Sequence, residues 1–216
     1  MLAVGLTGGI ACGKTVIRLR CDAQGVPTLD ADRVVHGLFA PGTEVTQAVR
    51  ARFGANIIAA DGSVDRKALG TLVFGDAAAR ERLEAIVHPR VFEAVETFLD
   101  NARNRSADIA VVDAALMYET ASYERYDRIV VAFCPPEVQQ QRLMTRDGLS
   151  REQAQHRIDA QMPVEEKRAL ADYVIDTSGT LEQTLQQTDR VLEQLLEEAK
   201  SKQRNGAETQ RRKENK

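Results

Sequence analysis

Gly8 is separated by four residues from Gly13-Lys14-Thr15, and no other feature of the chain constrains its fold as strongly. The stretch Gly8-Gly9-Ile10-Ala11-Cys12-Gly13-Lys14-Thr15 satisfies G-x-x-x-x-G-K-[ST] in full. Glycines let the backbone turn so that successive N–H groups face one anion. The helix that follows presents the positive end of its dipole to the same place. Lys14 then reaches β- and γ-phosphates, and Thr15 offers a hydroxyl to Mg²⁺. The context is the one such a loop needs. Leu2 to Leu6 is a short apolar strand, and Lys14 to Ala23 reads as a helix.

The rest of the chain extends this start into an α/β protein. Val26 to Leu29 is a second strand, ending at Asp30. From Ala31 to about Arg105 the pattern changes to helices without a convincing buried strand. Val45, Val49 and Phe53 mark one helix, and Leu69, Leu72 and Val73 another. Leu83, Ile86 and Val87 mark a third. Val91, Val95, Phe98 and Leu99 mark a fourth, opened by Pro89 in its first turn. Asp61-Gly62 is a turn signal. Strands return at Ile109 to Val112, Ile129 to Phe133 and Tyr173 to Ile175. Helices follow from Glu137 to Arg146 and from Ser150 to Gln161, where Ser150 and Gln153 resemble a capping box. A helix from Leu181 to Lys200 closes the domain. Five apolar strands alternating with helices predict a five-stranded parallel sheet covered on both faces.

Bulk properties exclude several alternatives. Apolar residues make up 43% of the chain and charged residues 28%, as in an ordinary globular protein. No apolar run nears the ~20 residues that span a bilayer, and the N-terminus reads as a strand rather than a signal peptide. Three cysteines without CxxC spacing argue against a disulfide framework or zinc site, and for a cytoplasmic protein. The net charge of −3 argues against nucleic acid as partner. Residues 200–216 carry +5, so the rest carries −8. Residues 201–216 are expected to form a disordered basic tail.

Other polar residues fall where a ligand crevice is expected. Asp30 and Asp32 close the second strand, and on an extended segment both side chains would face one side. One can orient an attacking hydroxyl; the competing reading is that Asp30 caps the next helix. Asp113 ends an apolar strand, as a Mg²⁺-holding carboxylate would. Glu119 lies just beyond it. Arg142 and Arg146 share a helix face, and Arg157 has a similar setting. Such arginines suit a mobile lid over a transferring phosphoryl group, or else a solvated helix face. Cys12 is either a reactive thiol at a helix N-terminus or simply a small side chain, which is the reading preferred. His88 has no metal-ligand partner at useful spacing.

At this point the chain resembles the dephospho-coenzyme A kinase family. The matching stretches are Leu6-Thr7-Gly8-Gly9-Ile10, Gly13-Lys14-Thr15 and Asp30-Ala31-Asp32. Later come Ile86-Val87-His88-Pro89, Leu116 with Glu119, Arg142 with Arg146-Asp147, Arg157 with Gln161, and Ala171 to Ile175 before Gly179. The likeness spans about residues 2 to 195. The family's loop usually has Gly-Ser where Ala11-Cys12 stands here, and its Pro-Leu-Leu-Phe-Glu stretch appears as Ala115 to Glu119.

The resemblance implies ATP-dependent phosphorylation of the ribose 3′-hydroxyl of dephospho-coenzyme A, with Mg²⁺. It implies a single kinase domain over 1–200, with core 1–30, 106–139 and 166–200, a helical acceptor-binding part 31–105 and a lid 140–165. Asp32, Lys14 and Arg142 would be catalytic. ATP would meet Gly8 to Val16, Arg142, Arg146, Ser178 and Gly179, and Mg²⁺ would meet Thr15 and Asp113. The acceptor would meet Asp32, His88, Leu116, Glu119 and Arg157. No membrane partner is expected, and a monomer or small homo-oligomer is. The alternatives are a kinase for a nucleoside monophosphate or another small alcohol, and a nucleotide-dependent switch. A guanine-specific switch would want Asn-Lys-x-Asp, and the sole Asn-Lys is Asn215-Lys216 at the C-terminus.

Overall fold

The computed structural model describes the backbone of residues 1–214, with side chains except those of Phe74 and residues 205–214. The chain divides into two compact units, one of residues 1–29 and 99–216, the other of residues 30–98.

In the first unit, β1 (Leu2–Gly8), β2 (Thr28–Asp30), β3 (Ile109–Asp113), β4 (Arg128–Phe133) and β5 (Tyr173–Asp176) form one sheet, ordered β2-β3-β1-β4-β5. β1 runs parallel to β3 and β4, and β4 parallel to β5. The sheet is the one expected from the apolar runs. The period of two along a strand sorts its faces. Leu2, Val4 and Leu6 join Val130, Ile175, Leu192 and Leu195 in one core, with Ile17 and Cys21 from α1 (Lys14–Ala23). Ile129 and Val131 face the other way and pack with Met117 and Tyr118. Gly5 lies on that second face, where a Cβ would stand 2.5 Å from Met117 Sδ.

The second unit holds α2 (Ala31–Leu38), α3 (Glu44–Phe53), α4 (Arg66–Phe74) and most of α5 (Ala77–Asn104) around Phe39, Val45, Val49, Ile57, Val64, Leu69 and Val87. Each helix begins at a polar cap. Arg33 N–H donates to Asp30, Thr46 N–H to Thr43, Ala68 N–H to Asp65 and Ala79 N–H to Asp76. These caps satisfy amides that have no intrahelical partner. Two expectations change here. The helices expected on either side of Pro89 are one 28-residue helix with Pro89 inside it. The segment after Asp30 is helical at once, so Asp30 and Asp32 do not share an extended stretch. At 3.6 residues per turn, residues two apart point to nearly opposite sides.

After β4 come α6 (Pro136–Asp147), α7 (Arg151–Asp159) and α8 (Val164–Ala169), the last a short helix with no counterpart among the expected elements. The capping box at Ser150 and Gln153 is present with both bonds. The closing helix, α9, runs Leu181–Glu214 and so continues through most of the stretch expected to be disordered. That stretch is rich in Lys, Gln, Arg and Glu and free of proline, a composition that helices tolerate. Asn215 and Lys216 lie outside the described residues. Among those described, no helix is long and apolar enough to cross a membrane.

Candidate active site

The site grows from the junction of β1 and α1. Gly8 leaves β1 at φ +152°, and a Cβ there would stand 2.3 Å from the Ala132 carbonyl oxygen of the neighbouring strand. Gly13 caps α1 at φ +77°. Both positions call for glycine on steric grounds. Ala11 also takes a positive φ, +61°, in a region that L-residues with a Cβ enter at a cost of about 1–2 kcal/mol.

Three successive carbonyls of the loop are held by side chains. Gln139 Nε2 donates to Ile10 O at 2.9 Å, Arg142 Nη1 to Ala11 O at 3.4 Å, and the Thr177 hydroxyl to Cys12 O at 3.0 Å. The Ile10 N–H donates to Gln161 Oε1 at 2.8 Å. Gln139 is fully buried and three residues before Arg142 on α6, so the two reach the loop from one helix face. With carbonyls committed to side chains, the polarity left to the loop is that of its amides and of the α1 N-terminus, which suits an anion.

A cleft of about 680 Å³ opens beside the loop. Residues 11–16 form one wall, with Gln141, Arg142, Thr145 and Arg146 from α6, and Thr177, Gly179, Leu181 and Thr184 beyond β5. Thus Ala11, Cys12, Gly13, Lys14, Thr15, Val16, Arg142, Arg146 and Gly179 come together along one cleft. Ser178 turns instead to Asp176, bonding its Oδ1 through N–H and hydroxyl at 2.8 and 2.6 Å.

The arginines differ from the free lid charges expected. Arg142 is fastened to the loop and to Thr177, whose carbonyl accepts from Nη2 at 2.6 Å. Arg146 pairs with Asp147 at 2.7 Å, and Arg157 pairs with the same carboxylate at 2.8 Å. The hydrogen bond from Arg146 holds the Asp147 carboxyl below the usual carboxylate range, and the charges of Arg146 and Arg157 add to this.

Asp113 ends β3 in a buried position, its Oδ2 3.7 Å from Arg18 Nε. Glu119 does not stand open to an acceptor. Its carboxylate accepts from Met162 N–H at 2.9 Å and pairs at 2.8 Å with Lys167 Nζ. Lys167 is wholly buried and also donates to Ala115 O at 2.9 Å. Burial pulls its pKa down, and the bond to Glu119 opposes that pull. Leu116 is exposed. In the second unit, Asp32 occupies the first turn of α2, and the His88 ring tilts against Phe92 at 5.7 Å. Sequence reasoning gave Gln139 and Lys167 no role. The sequence signal for Gln139 was its spacing of three from Arg142; a lysine among charged neighbours offered none.

A family model described as dephospho-CoA kinase matches residues 2–183. The dephospho-CoA kinase of Geobacter sulfurreducens is 43% identical over 183 residues, which is 85% of this chain and 93% of that protein. A solved structure, TT1252 from Thermus thermophilus, is 30% identical with a TM-score of 0.77, covering 88% of this chain and 95% of its own. The dephospho-CoA kinase from Campylobacter jejuni is 26% identical with a TM-score of 0.68, covering 90% of this chain and 97% of its own.

Proposed function

The chain belongs to the dephospho-CoA kinase family, and on that premise we propose that it transfers the γ-phosphoryl group of ATP to the ribose 3′-hydroxyl of dephospho-coenzyme A, giving coenzyme A and ADP. The observation that carries the reading is the loop with three carbonyls tied back to Gln139, Arg142 and Thr177, beside a cleft of nucleotide size.

Phosphoryl transfer asks a protein for in-line positioning and charge neutralisation rather than covalent chemistry. The loop amides and Lys14 hold the β- and γ-phosphates. Arg142 keeps the loop in shape while adding its charge to the cleft, and Arg146 lines the same wall. Thr177 and Gly179 flank the nucleoside end. Asp32 accepts a hydrogen bond from the attacking hydroxyl and takes its proton late in the transfer. This role rests on its place just after β2 and on the family's Asp-Ala-Asp. The helices of residues 30–98 are assigned to the acceptor, and residues 140–165 to a lid.

The donor set fits Mg²⁺. Thr15 and Asp113 supply hard oxygens, and a Mg²⁺ that arrives on phosphates needs only one or two protein oxygens. Among the described residues no group of three His, Cys, Asp or Glu gathers to hold a metal by itself. When bound, the ion would offset charge on the phosphate oxygens. The cytoplasm is the proposed setting, supported by three cysteines in free thiol form.

The test is acceptor dependence. Purified protein with ATP and Mg²⁺ receives dephospho-coenzyme A, AMP or thymidylate, and ADP release is followed. Release with dephospho-coenzyme A alone is expected. Release only with AMP or thymidylate, or release indifferent to the acceptor, would contradict the reading.

A further inference from the structure

Two thiols meet beneath the phosphate loop. The Sγ atoms of Cys12 and Cys134 lie 3.4 Å apart, and both residues are buried, at 1% and 0% exposure. Cys12 sits between the two positive-φ residues of the loop, Ala11 and Gly13. Cys134 directly follows β4 and precedes Pro135 and Pro136. The Thr177 hydroxyl links both neighbourhoods, lying 3.0 and 3.1 Å from the Cys12 and Phe133 carbonyl oxygens.

The two sulfurs differ in acidity. The hydrogen bond with Cys12 holds the Cys134 thiol below its ordinary range despite burial, and the Arg142 charge and Thr177 hydroxyl favour its thiolate further. The same bond, together with burial, pushes the Cys12 thiol up. Of the two, Cys134 lies where the Arg142 charge favours a thiolate.

We propose that Cys12 and Cys134 form a reversible oxidation site, closed to a disulfide by a small hydroperoxide, and that this bond disables the phosphate loop. The site lies beyond the kinase reading and beyond any role assigned to either cysteine. In the first step the Cys134 thiolate attacks one oxygen of hydrogen peroxide. The S–O bond forms, the O–O bond breaks, and the departing hydroxide takes a solvent proton to become water. In the second, the Cys12 sulfur attacks the sulfenic sulfur. The S–S bond forms, the S–O bond breaks, and the hydroxyl leaves as water with the Cys12 proton. Two electrons pass from the sulfurs to peroxide, and a dithiol reductant returns them.

The mechanical consequence follows from bond length. A disulfide spans about 2.05 Å, so the sulfurs must close by more than an ångström. One of them belongs to a loop whose catalytic geometry tolerates only about 0.5 Å. Cys12 also lines the nucleotide cleft, with Cys134 Sγ 3.4 Å behind it.

The experiment uses the reduced full chain treated with hydrogen peroxide. Non-reducing digestion and mass spectrometry are expected to find a peptide linking Cys12 to Cys134. ADP formation with dephospho-coenzyme A should fall at least tenfold and return with dithiothreitol. Cys134→Ser should keep the reduced activity and resist peroxide, and Cys134→Ala should repeat the result if the serine disturbs the core. The proposal is overturned if no linked peptide forms. It is also overturned if the link forms without loss of activity, or if the Cys134 variants lose activity as fast as the parent. The linked peptide is read without any assay, so its absence is distinguishable from an error in the assigned acceptor.

Discussion

Gln139 holds Ile10: the amide of a fully buried side chain on α6 donates to the loop carbonyl at 2.9 Å. The same side chain limits Gly9, where a Cβ would stand 2.2 Å from Gln139 Nε2. The shape of the loop is thus set from outside it.

Gln139→Ala leaves the Ile10 carbonyl without its partner. A buried acceptor left so costs about 1–3 kcal/mol. The KM for ATP should rise roughly tenfold or more, with kcat less affected. Gln139→Glu keeps the size but turns an acceptor toward an acceptor, so its loss should be at least as large. Steady-state kinetics with varied ATP check both, and unchanged KM values would contradict the role.

Lys167 and Glu119 form an ion pair with the lysine wholly buried. Lys167→Met removes the charge that pairs with Glu119 and leaves the Ala115 carbonyl with the Thr7 hydroxyl alone. Breaking a buried pair from one side costs about 3–5 kcal/mol. The double variant Lys167→Met with Glu119→Gln should lose less than the two single losses added together. Urea unfolding of the four proteins measures the coupling, and strict additivity would show that the pair does not act as one.

Asp127 ties the start of β1 to α9, accepting from Ala3 N–H at 2.8 Å and pairing with Lys202 at 2.6 Å. Burial acts to raise its pKa, but Lys202, the Ala3 amide and Arg128 outweigh it and hold the carboxyl below 3.8. The folded state therefore favours the charged form. The stability this group adds is present above pH 3.8 and is lost as pH falls through the lower folded value. Asp127→Asn should be less stable at pH 6, and the gap should narrow on acidification below pH 3.8. A constant gap in urea midpoints would contradict this.

Much of the fold was legible because its signals are local. The apolar runs at Leu2, Ile109 and Ile129 and the glycines at 8 and 13 need only neighbouring residues to be read. Pro89 misled because proline opens helices more readily than it sits within them, and here it lies inside α5. The extended reading of Asp30 and Asp32 failed and the competing one held, because Asp30 caps α2 through Arg33 N–H and the chain turns helical at once. α8 is six residues long, too short to show a period. Lys167 was illegible because a lysine is expected in solvent, and only the fold brings Glu119, 48 residues earlier, to its side. Gln139 and Gln161 reach Ile10 across 129 and 151 residues, a distance no spacing rule covers.

Asp32 separates grip from transfer. Asp32→Ala should lower kcat by at least about a hundredfold, the usual scale of a positioned acid or base, while leaving the ATP dissociation constant within about threefold. Equilibrium nucleotide binding and turnover, measured on one preparation, decide the matter. A large loss of ATP binding with normal turnover would refute the role.

Phosphorus NMR of the product, with coupling traced to the ribose proton, shows whether phosphate is placed on the ribose 3′-oxygen of dephospho-coenzyme A. One new phosphomonoester coupled to the 3′-proton is expected; a new phosphate at another position, or ATP consumed without any phosphorylated acceptor, would contradict the proposed reaction.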